Sequence, residues 1–206
     1  SVTLGSTEFM KVIRISRNAA SMSVSAFEDW LVSMLSRDIA RAIDNFIIND
    51  ATKGIAVCTT WTSGTNQILN TTGCTYANIV SLIALLPAGY DPNAKFLMHK
   101  ATLWNKVAQI VDSAGNPILL RDMENGFSPR LLGYPVIVDD YVSSANGAIY
   151  LGDFEQVVGN LSQDVLVERS SESGFLNNSI DYRGTAQFDS QVANTEAVVR
   201  YVSTTA

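Results

Sequence analysis

Residues 25–50 read SAFEDWLVSMLSRDIARAIDNFIIND, the longest stretch of helical rhythm in the sequence. Phe27, Trp30, Leu31, Met34 and Leu35 recur at three- and four-residue spacing, so they share one face of a helix. Ile39, Ala42, Ile43, Phe46 and Ile47 continue that spacing. Ser25 followed by Glu28 is a capping box: the hydroxyl takes an orphan amide of the first turn and the carboxylate reaches back. Glu28 and Asp29 also lie where the helix dipole favours negative charge. No proline or glycine interrupts the run, and the spacing predicts one helix over 25–50.

The apolar face of this helix rotates. With residues about 100° apart on a wheel, the first cluster centres on Phe27 and the second roughly a quarter-turn or more away, near Phe46. One straight partner asks for one continuous stripe, so two halves with different partners are expected. Asp38 falls in line with the first stripe and Arg41 follows one turn later. Either Asp38 lies past the rotation and is solvated, or the two mark an ion pair at a junction between packed bodies or subunits.

Upstream, 8–16 (EFMKVIRIS) is β-branched and apolar and reads as a strand. Phe9, Ile13 and Ile15 point one way, Met10 and Val12 the other. Both faces are partly apolar, as in a strand covered on two sides or lying against another chain. Residues 17–23 are a polar connection. Downstream, 51–75 is rich in Thr, Ser, Gly and Asn and reads as a long loop or loose hairpin, the natural place to pass between subdomains.

Residues 75–86 form a second helix with Ile79, Leu82, Ile83 and Leu86 inward, stopped by Pro87 and Gly89. Residues 94–98 are a short buried strand. A third helix over 99–111 turns Leu103, Val107, Ile110 and Val111 inward. DSAGNP (112–117) is a turn, 118–120 is extended, and 121–130 is polar and exposed. Residues 130–141 read as a strand begun through Gly133 and Pro135, since proline prefers a strand edge or start. Residues 148–151, 157–158, 164–169, 181–188 and 196–202 are further strand candidates, with 170–180 a loop. The last strand is apolar on both faces. Strand, long helix, long loop, two helices and then mostly strands make an α+β chain, not a regular βαβ alternation.

The 206 residues suffice for one large domain or two small ones. Hydrophobic content of 47% against 17% charged belongs to a folded chain with ample core. A net charge of −6 argues against a surface built to grip phosphates, though not against a shell enclosing nucleic acid. Cys58, Cys74 and His99 make neither a disulfide framework nor a zinc set. Residues 79–86, the longest apolar run, are too short to span a membrane, and no signal peptide opens the sequence. Ser1, not Met, comes first, as expected of a fragment or processed product.

The motif search returns no phosphate loop, dinucleotide fingerprint or nucleophile elbow. His99 stands alone at a strand-to-helix junction, where a cap or surface role is the expectation; a hydrolase using His99 or Cys74 is the enzymatic alternative. Asp139 and Asp140 are adjacent and, on a strand, face opposite ways. Asp153 follows Gly152 in a turn and is expected to bond backbone amides. The three tryptophans are too far apart to make a visible stacking platform. No catalytic, cofactor or metal residue is therefore assigned.

Four pieces together resemble the major capsid proteins of tailed bacteriophages. FLMHKATLWNKVAQIVDSAGNPIL (96–119) is similar to the family's strand, helix and "D-x-x-G-x-P" turn, here Asp112, Gly115 and Pro117. LLGYPVIVDD (131–140) resembles its "LLG-x-PV" strand, and AIYLGDFEQ (148–156) its "GDF" turn with Gly152, Asp153 and Phe154. Arg183 and a closing strand ending in AVVRYV (197–202) complete the order, which spans roughly residues 90–202.

The resemblance implies a shell subunit without enzymatic activity. Its fold would combine a spine helix, 25–50, with a peripheral sheet and an axial domain. The implied domains are 1–60 with 190–206 as peripheral, including the end of an extended loop at 8–16, and 61–189 as axial. The closing strand would return to the peripheral sheet. Implied partners are further copies in pentamers and hexamers, scaffolding and portal proteins, and packaged double-stranded DNA. The implied location is the virion capsid, assembled in the bacterial host cytoplasm. No stretch matches the family's N-terminal arm, most of the extended loop or a scaffolding segment, so no cross-linking residue carries over. An encapsulin-like cellular shell is the nearest alternative.

Overall fold

The computed structural model describes residues 2–17, 25–71, 73–111, 114–117, 119–121 and 129–203. They divide into two units, one of residues 1–54 and 158–191 and one of 55–157 and 192–206. The expected division was 1–60 with 190–206 and 61–189; instead 158–191 join the first segment and 192–206 join the middle one, with the first boundary at 54. The reason lies in the pairing of the last four strands.

The first unit is one helix on one sheet. Strand β1 (Thr7–Ser16) pairs antiparallel with β9 (Ser179–Val192), and β9 also borders β8 (Val157–Ser170). Helix α1 (Ser25–Asn49) packs on the face bearing Ile13, Ile15, Val167, Ile180 and Tyr182. Leu31 and Leu35 meet Ile180 and Tyr182. Farther along, the Phe46 ring lies edge-on to Phe9 and Phe188, at 5.4 and 6.4 Å. The two halves of the helix thus have different partners, but both belong to the same sheet. A stripe at four-residue spacing drifts around a straight helix, and a twisted sheet can follow it. Trp30 and Ala42, expected inward, are exposed, and Trp30 stacks on Phe27 at 5.7 Å. The Ser25 side chain of the expected capping box lies outside the described residues. The Glu28 carboxylate instead accepts from the Tyr182 hydroxyl at 3.1 Å.

Gly184 explains how closely the helix sits. A Cβ there would come within 2.9 Å of the tip of Ile39 and 3.5 Å of Leu35. The buried Asp189 carboxylate accepts from Lys53 Nζ, Gly5 N–H and, at 3.0 Å, Ser190 N–H, tying both flanking segments to β9. Strand β8 runs as one element where two short strands, 157–158 and 164–169, were expected. Backbone pairing with β9 carries it across Gly159, Asn160 and Ser162, whose side chains give no strand signal.

The second unit is a seven-stranded sheet in the order β2 (Gln67–Asn70), β10 (Val198–Ser203), β7 (Ile149–Gly152), β3 (Lys95–Met98), β6 (Tyr134–Val138), β5 (Pro129–Leu131), β4 (Leu119–Arg121). Its core face carries Phe96, Met98, Ile149, Leu151, Val199 and Tyr201 under α2 (Tyr76–Leu85) and the segment that begins as α3 (Lys100–Thr102). Helix α2 has Thr75 as N-cap and buries Ile79 and Leu82. The expected helix 99–111 is shorter and widens into a π-turn over Leu103–Val107; Val111 is half-exposed and bridges to Pro117 across the turn containing Gly115. Asp112 of that turn lies outside the described residues, as does most of 121–130.

Three expectations are corrected in this unit. The loop 51–75 contains β2, which pairs parallel with β10, and a 3₁₀ turn at Ile55–Val57. The single strand expected over 130–141 is a hairpin, because Leu132 and Gly133 both have positive φ (50° and 92°) and reverse the chain in two residues. The closing strand does not return to the helix-bearing sheet. It lies between β2 and β7, and its apolar residues on both faces suit a strand inside a sheet covered on both sides.

Candidate functional site

No group of three or more His, Cys, Asp or Glu side chains suited to a metal ion occurs among the described residues. His99 caps α3: its Nδ1 accepts from Ala101 N–H at 2.9 Å. That was the expected structural role, and it occupies the nitrogen a base would use. Both cysteines are free thiols, and burial pushes each up to about 11, so little thiolate exists near neutrality. Strand β6 ends at Val138, so Asp139 and Asp140 do not face opposite ways on a strand as expected. Asp139 accepts from Tyr141 N–H at 2.7 Å and Asp140 is exposed. Asp153 is buried and accepts from Glu155 N–H at 3.0 Å, the turn role its position predicts.

One half-buried cation has an unusual setting. The Arg200 guanidinium lies 4.4 Å over the Trp61 ring and donates to Gln67 Oε1 at 2.6 Å. Trp61 in turn packs 6.2 Å from Tyr150. Burial pushes Arg200 down from its ordinary value, against the opposing pull of Tyr150. These contacts cover the middle of the second face of the second unit's sheet, where Tyr150 and Leu97 are buried in adjacent registers beside the half-buried Arg200, while Ile137 and Leu69 stay exposed on that face. The arrangement is a clamp made with neutral acceptors and a ring, and it holds the 55–66 segment down.

The helix-bearing sheet has no such second cover among the described residues. On the face away from α1, Met10 and Val12 of β1 are 60% and 48% exposed, and Leu166 of β8 is also open. Val12 is the register partner of Arg183, and Arg14 of Asp181. Arg14 binds Asp181 through two nitrogens at 2.8 and 3.0 Å, and Ser173 donates to the same carboxylate at 2.7 Å. Those hydrogen bonds, with Arg14 the largest contributor, hold Asp181 down at about 2. Arg183 pairs with Glu168 through Nε at 3.1 Å. The charges on this face therefore neutralise one another and frame the apolar residues. Between them lies a hollow of about 450 Å³ lined by Val12, Glu168, Ser173, Asp181 and Arg183, among others.

Sequence reading anticipated the two-faced apolarity of β1. It assigned no role to Phe175 and Leu176, at the tip joining β8 to β9, which are 75% and 96% exposed. Two large apolar side chains inside an otherwise polar loop were the available signal. Asp38 is partly covered and lies 3.7 Å from Lys11 of β1. Arg41 is exposed, and no described residue is paired with it; the two are not joined to each other. Among the described residues, no helix is long and apolar enough to cross a membrane.

A family model described as the phage capsid family matches residues 1–203. Among solved structures, the fold is similar to the capsid of a native GTA particle, with TM-score 0.84 and 20% identity over 100% of this chain and 74% of that one. It is also similar to the SrpI encapsulin complex of Synechococcus elongatus PCC 7942, with TM-score 0.70 and 15% identity, covering 97% and 73%. Mycobacterium phage Bobi gives TM-score 0.66 and 16% identity, covering 98% and 73%. No curated protein matches the chain.

Proposed function

The chain belongs to the phage capsid family and is a capsid shell subunit, and on that premise we propose that its copies form the pentamers and hexamers of an icosahedral head enclosing double-stranded DNA. The observation that carries this reading is the one-sided cover of the first unit's sheet. One face is packed by α1, while the other offers Met10, Val12 and Leu166 between self-neutralised ion pairs. A large apolar face framed by satisfied charges is what association between copies would cover.

In this reading α1 is the spine helix, the first unit is the peripheral domain and the second is the axial domain. The second unit's assignment rests on its own complete core. Asp38 and Arg41 border a subunit junction. The support is that Asp38 already has Lys11 while Arg41 is left exposed and available to a neighbour's carboxylate. The acidic balance of −6 lets packaged DNA move along the inner wall without adhering. Scaffolding and portal proteins are the expected assembly partners, with assembly in the host cytoplasm and residence in the virion.

Electron microscopy of the expressed protein tests the reading. Uniform closed shells are expected, and Arg41→Glu should reduce their yield. A monomer at every concentration and salt would overturn it. An encapsulin-like shell is the second reading, favoured by the similarity in fold to the SrpI complex. Shells recovered from their native host separate the two, since nuclease-protected double-stranded DNA marks a phage head and a co-purifying enzyme marks a compartment.

A further inference from the structure

The second unit contains a hollow of about 770 Å³, within the size range of small-molecule sites. Four separate segments of that unit meet around it: the start of α2, the π-turn, the turn at 143–147 and the end of β10. Its charge is one-sided. Lys106 lines it, and none of the described lining residues is Asp or Glu. Lys106 is half-buried, and among the described residues no carboxylate pairs with it, although the chain carries a net charge of −6. The lysine is also held in place. A Cβ on Gly147 would lie 2.5 Å from Lys106 Nζ and 3.0 Å from its Cδ, so the glycine leaves the space that this side chain occupies. Gly147 N–H closes its turn on Ser144 O at 3.1 Å. A lysine laid along a closed turn has less rotamer freedom to lose when it takes up an anion.

Two sets of donors beside it lack acceptors. Thr75 caps α2 by accepting from Asn78 N–H, which leaves the Tyr76 and Ala77 amides without an acceptor among the described residues. The positive end of the helix dipole stands at the same rim. Independently, Tyr201 is fully buried and its hydroxyl has no hydrogen-bond partner. Around that hydroxyl are Cys74, Asn78 and Ser203, none of them in bonding geometry, and Cys74 and Ser203 line the hollow. A buried hydroxyl without a partner is costly, and the hollow is the side from which a partner can come. The rim adds apolar surface, since Tyr76 and Val111 line it and are exposed.

We propose that this hollow binds an organic phosphate monoester. The phosphate sits on Lys106 and the first turn of α2, the Tyr201 hydroxyl reaches it through a bridging water, and the organic part lies against Tyr76 and Val111. A phosphate suits the site better than a carboxylate because its three acceptor oxygens can serve ammonium, amides and hydroxyl together. The site belongs to the second unit alone and stands whether or not the copies form shells.

Equilibrium dialysis of the full chain against phenyl phosphate tests it. Saturable one-to-one binding is expected. Lys106→Met should weaken it about tenfold or more, the loss of one charge-assisted contact. Gln109→Glu, at an exposed position on the lining, should weaken it by a similar factor, because it brings a carboxylate to the phosphate. Tyr201→Phe should weaken it about threefold and leave the unfolding temperature without phenyl phosphate unchanged or higher, since the hydroxyl removed has no partner. Benzyl alcohol should not compete, and inorganic phosphate should compete only at several-fold higher concentration. Absence of saturable binding, or undiminished binding by Lys106→Met and Gln109→Glu, would overturn the site. Should Lys106→Met not fold, Gln109→Glu decides alone. Inorganic phosphate competing at the same concentration as phenyl phosphate would overturn the organic part. Displacement by a short DNA duplex at lower phosphate concentration would overturn the small-molecule assignment and give the hollow to nucleic acid.

Discussion

The two units bury their sheets to different extents. The second packs one face completely and covers the middle of the other. Helix α2 and the α3 segment lie on Phe96, Leu151 and Tyr201, and the 55–66 segment is clamped on the other face through Trp61 and Arg200. The first covers one face with α1 and leaves Met10, Val12 and Leu166 open on the other. An antiparallel sheet packed on one face can stand in water on the other, so what points to a partner here is the open apolar side chains themselves. On the proposed reading, the open apolar side chains of the first unit are where copies associate.

Small substitutions at two glycines should separate the units most strongly. At Gly152, on β7, an added Cβ would stand 2.3 Å from the Ala197 carbonyl oxygen and 2.9 Å from Val198 Cα. Both are backbone atoms of buried residues inside the sheet, so Gly152→Ala should destabilise by on the order of 4 kcal/mol or more. At Gly184 the closest atom is the flexible end of Ile39, at 2.9 Å. That side chain can give way, and Gly184→Ala should cost about 1 kcal/mol. Thermal unfolding of the dispersed subunit measures both, and equal losses would contradict the contrast.

Next in size are truncations. Leu82 is fully buried beneath α2, and Leu82→Ala should cost ~2–5 kcal/mol. Val12→Ser on the open face should change subunit stability by no more than ~0.5 kcal/mol while impairing shell formation. If Val12→Ser unfolds the subunit as Leu82→Ala does, the outer face belongs to the subunit's own core and the comparison fails.

What could be read in advance follows the range of the forces involved. Helices α1 and α2 were visible because their spacing is local, and β1, β3 and β7 because short apolar runs bounded by turns are local too. The two-faced apolarity of β1 was legible, and its outer face is the one left open, with Met10 and Val12 exposed. Strand β2 was hidden because QILN becomes a strand only by pairing with β10, far along the chain. Strand β8 was seen in pieces because its polar residues are held by the ladder, not by their side chains. The apolar character of β10 was plain, but its sheet was not, since Val198 and Tyr201 suit any doubly covered position. The partner of Asp38 was unreadable for the same reason: Lys11 lies on another element. Phe175 and Leu176 were passed over because a polar loop is expected to be solvent-facing and nothing periodic singled them out.

The smallest expected effect concerns charge on the open face. Arg14, with Ser173 adding to it, holds the Asp181 carboxyl down at about 2. A carboxyl depressed in the folded state adds stability above its unfolded value, about 3.9, and loses that contribution as pH falls toward 2. The contribution is thus full at neutral pH and is lost only across the acid window between those two values. Arg14→Gln removes the largest of the depressing contacts, so the Asp181 titration, followed by carboxyl NMR, should move up toward the ordinary carboxylate range. Stability at neutral pH should barely change, because Arg14 is largely solvent-exposed and an exposed ion pair is worth little. Association should change more than stability: with Arg14 gone, Asp181 keeps a charge that Ser173 alone must satisfy beside the hollow. A titration unmoved by Arg14→Gln would mean that Ser173 or the surrounding backbone holds the carboxylate. In that case the outer face would not depend on paired charges for its neutrality.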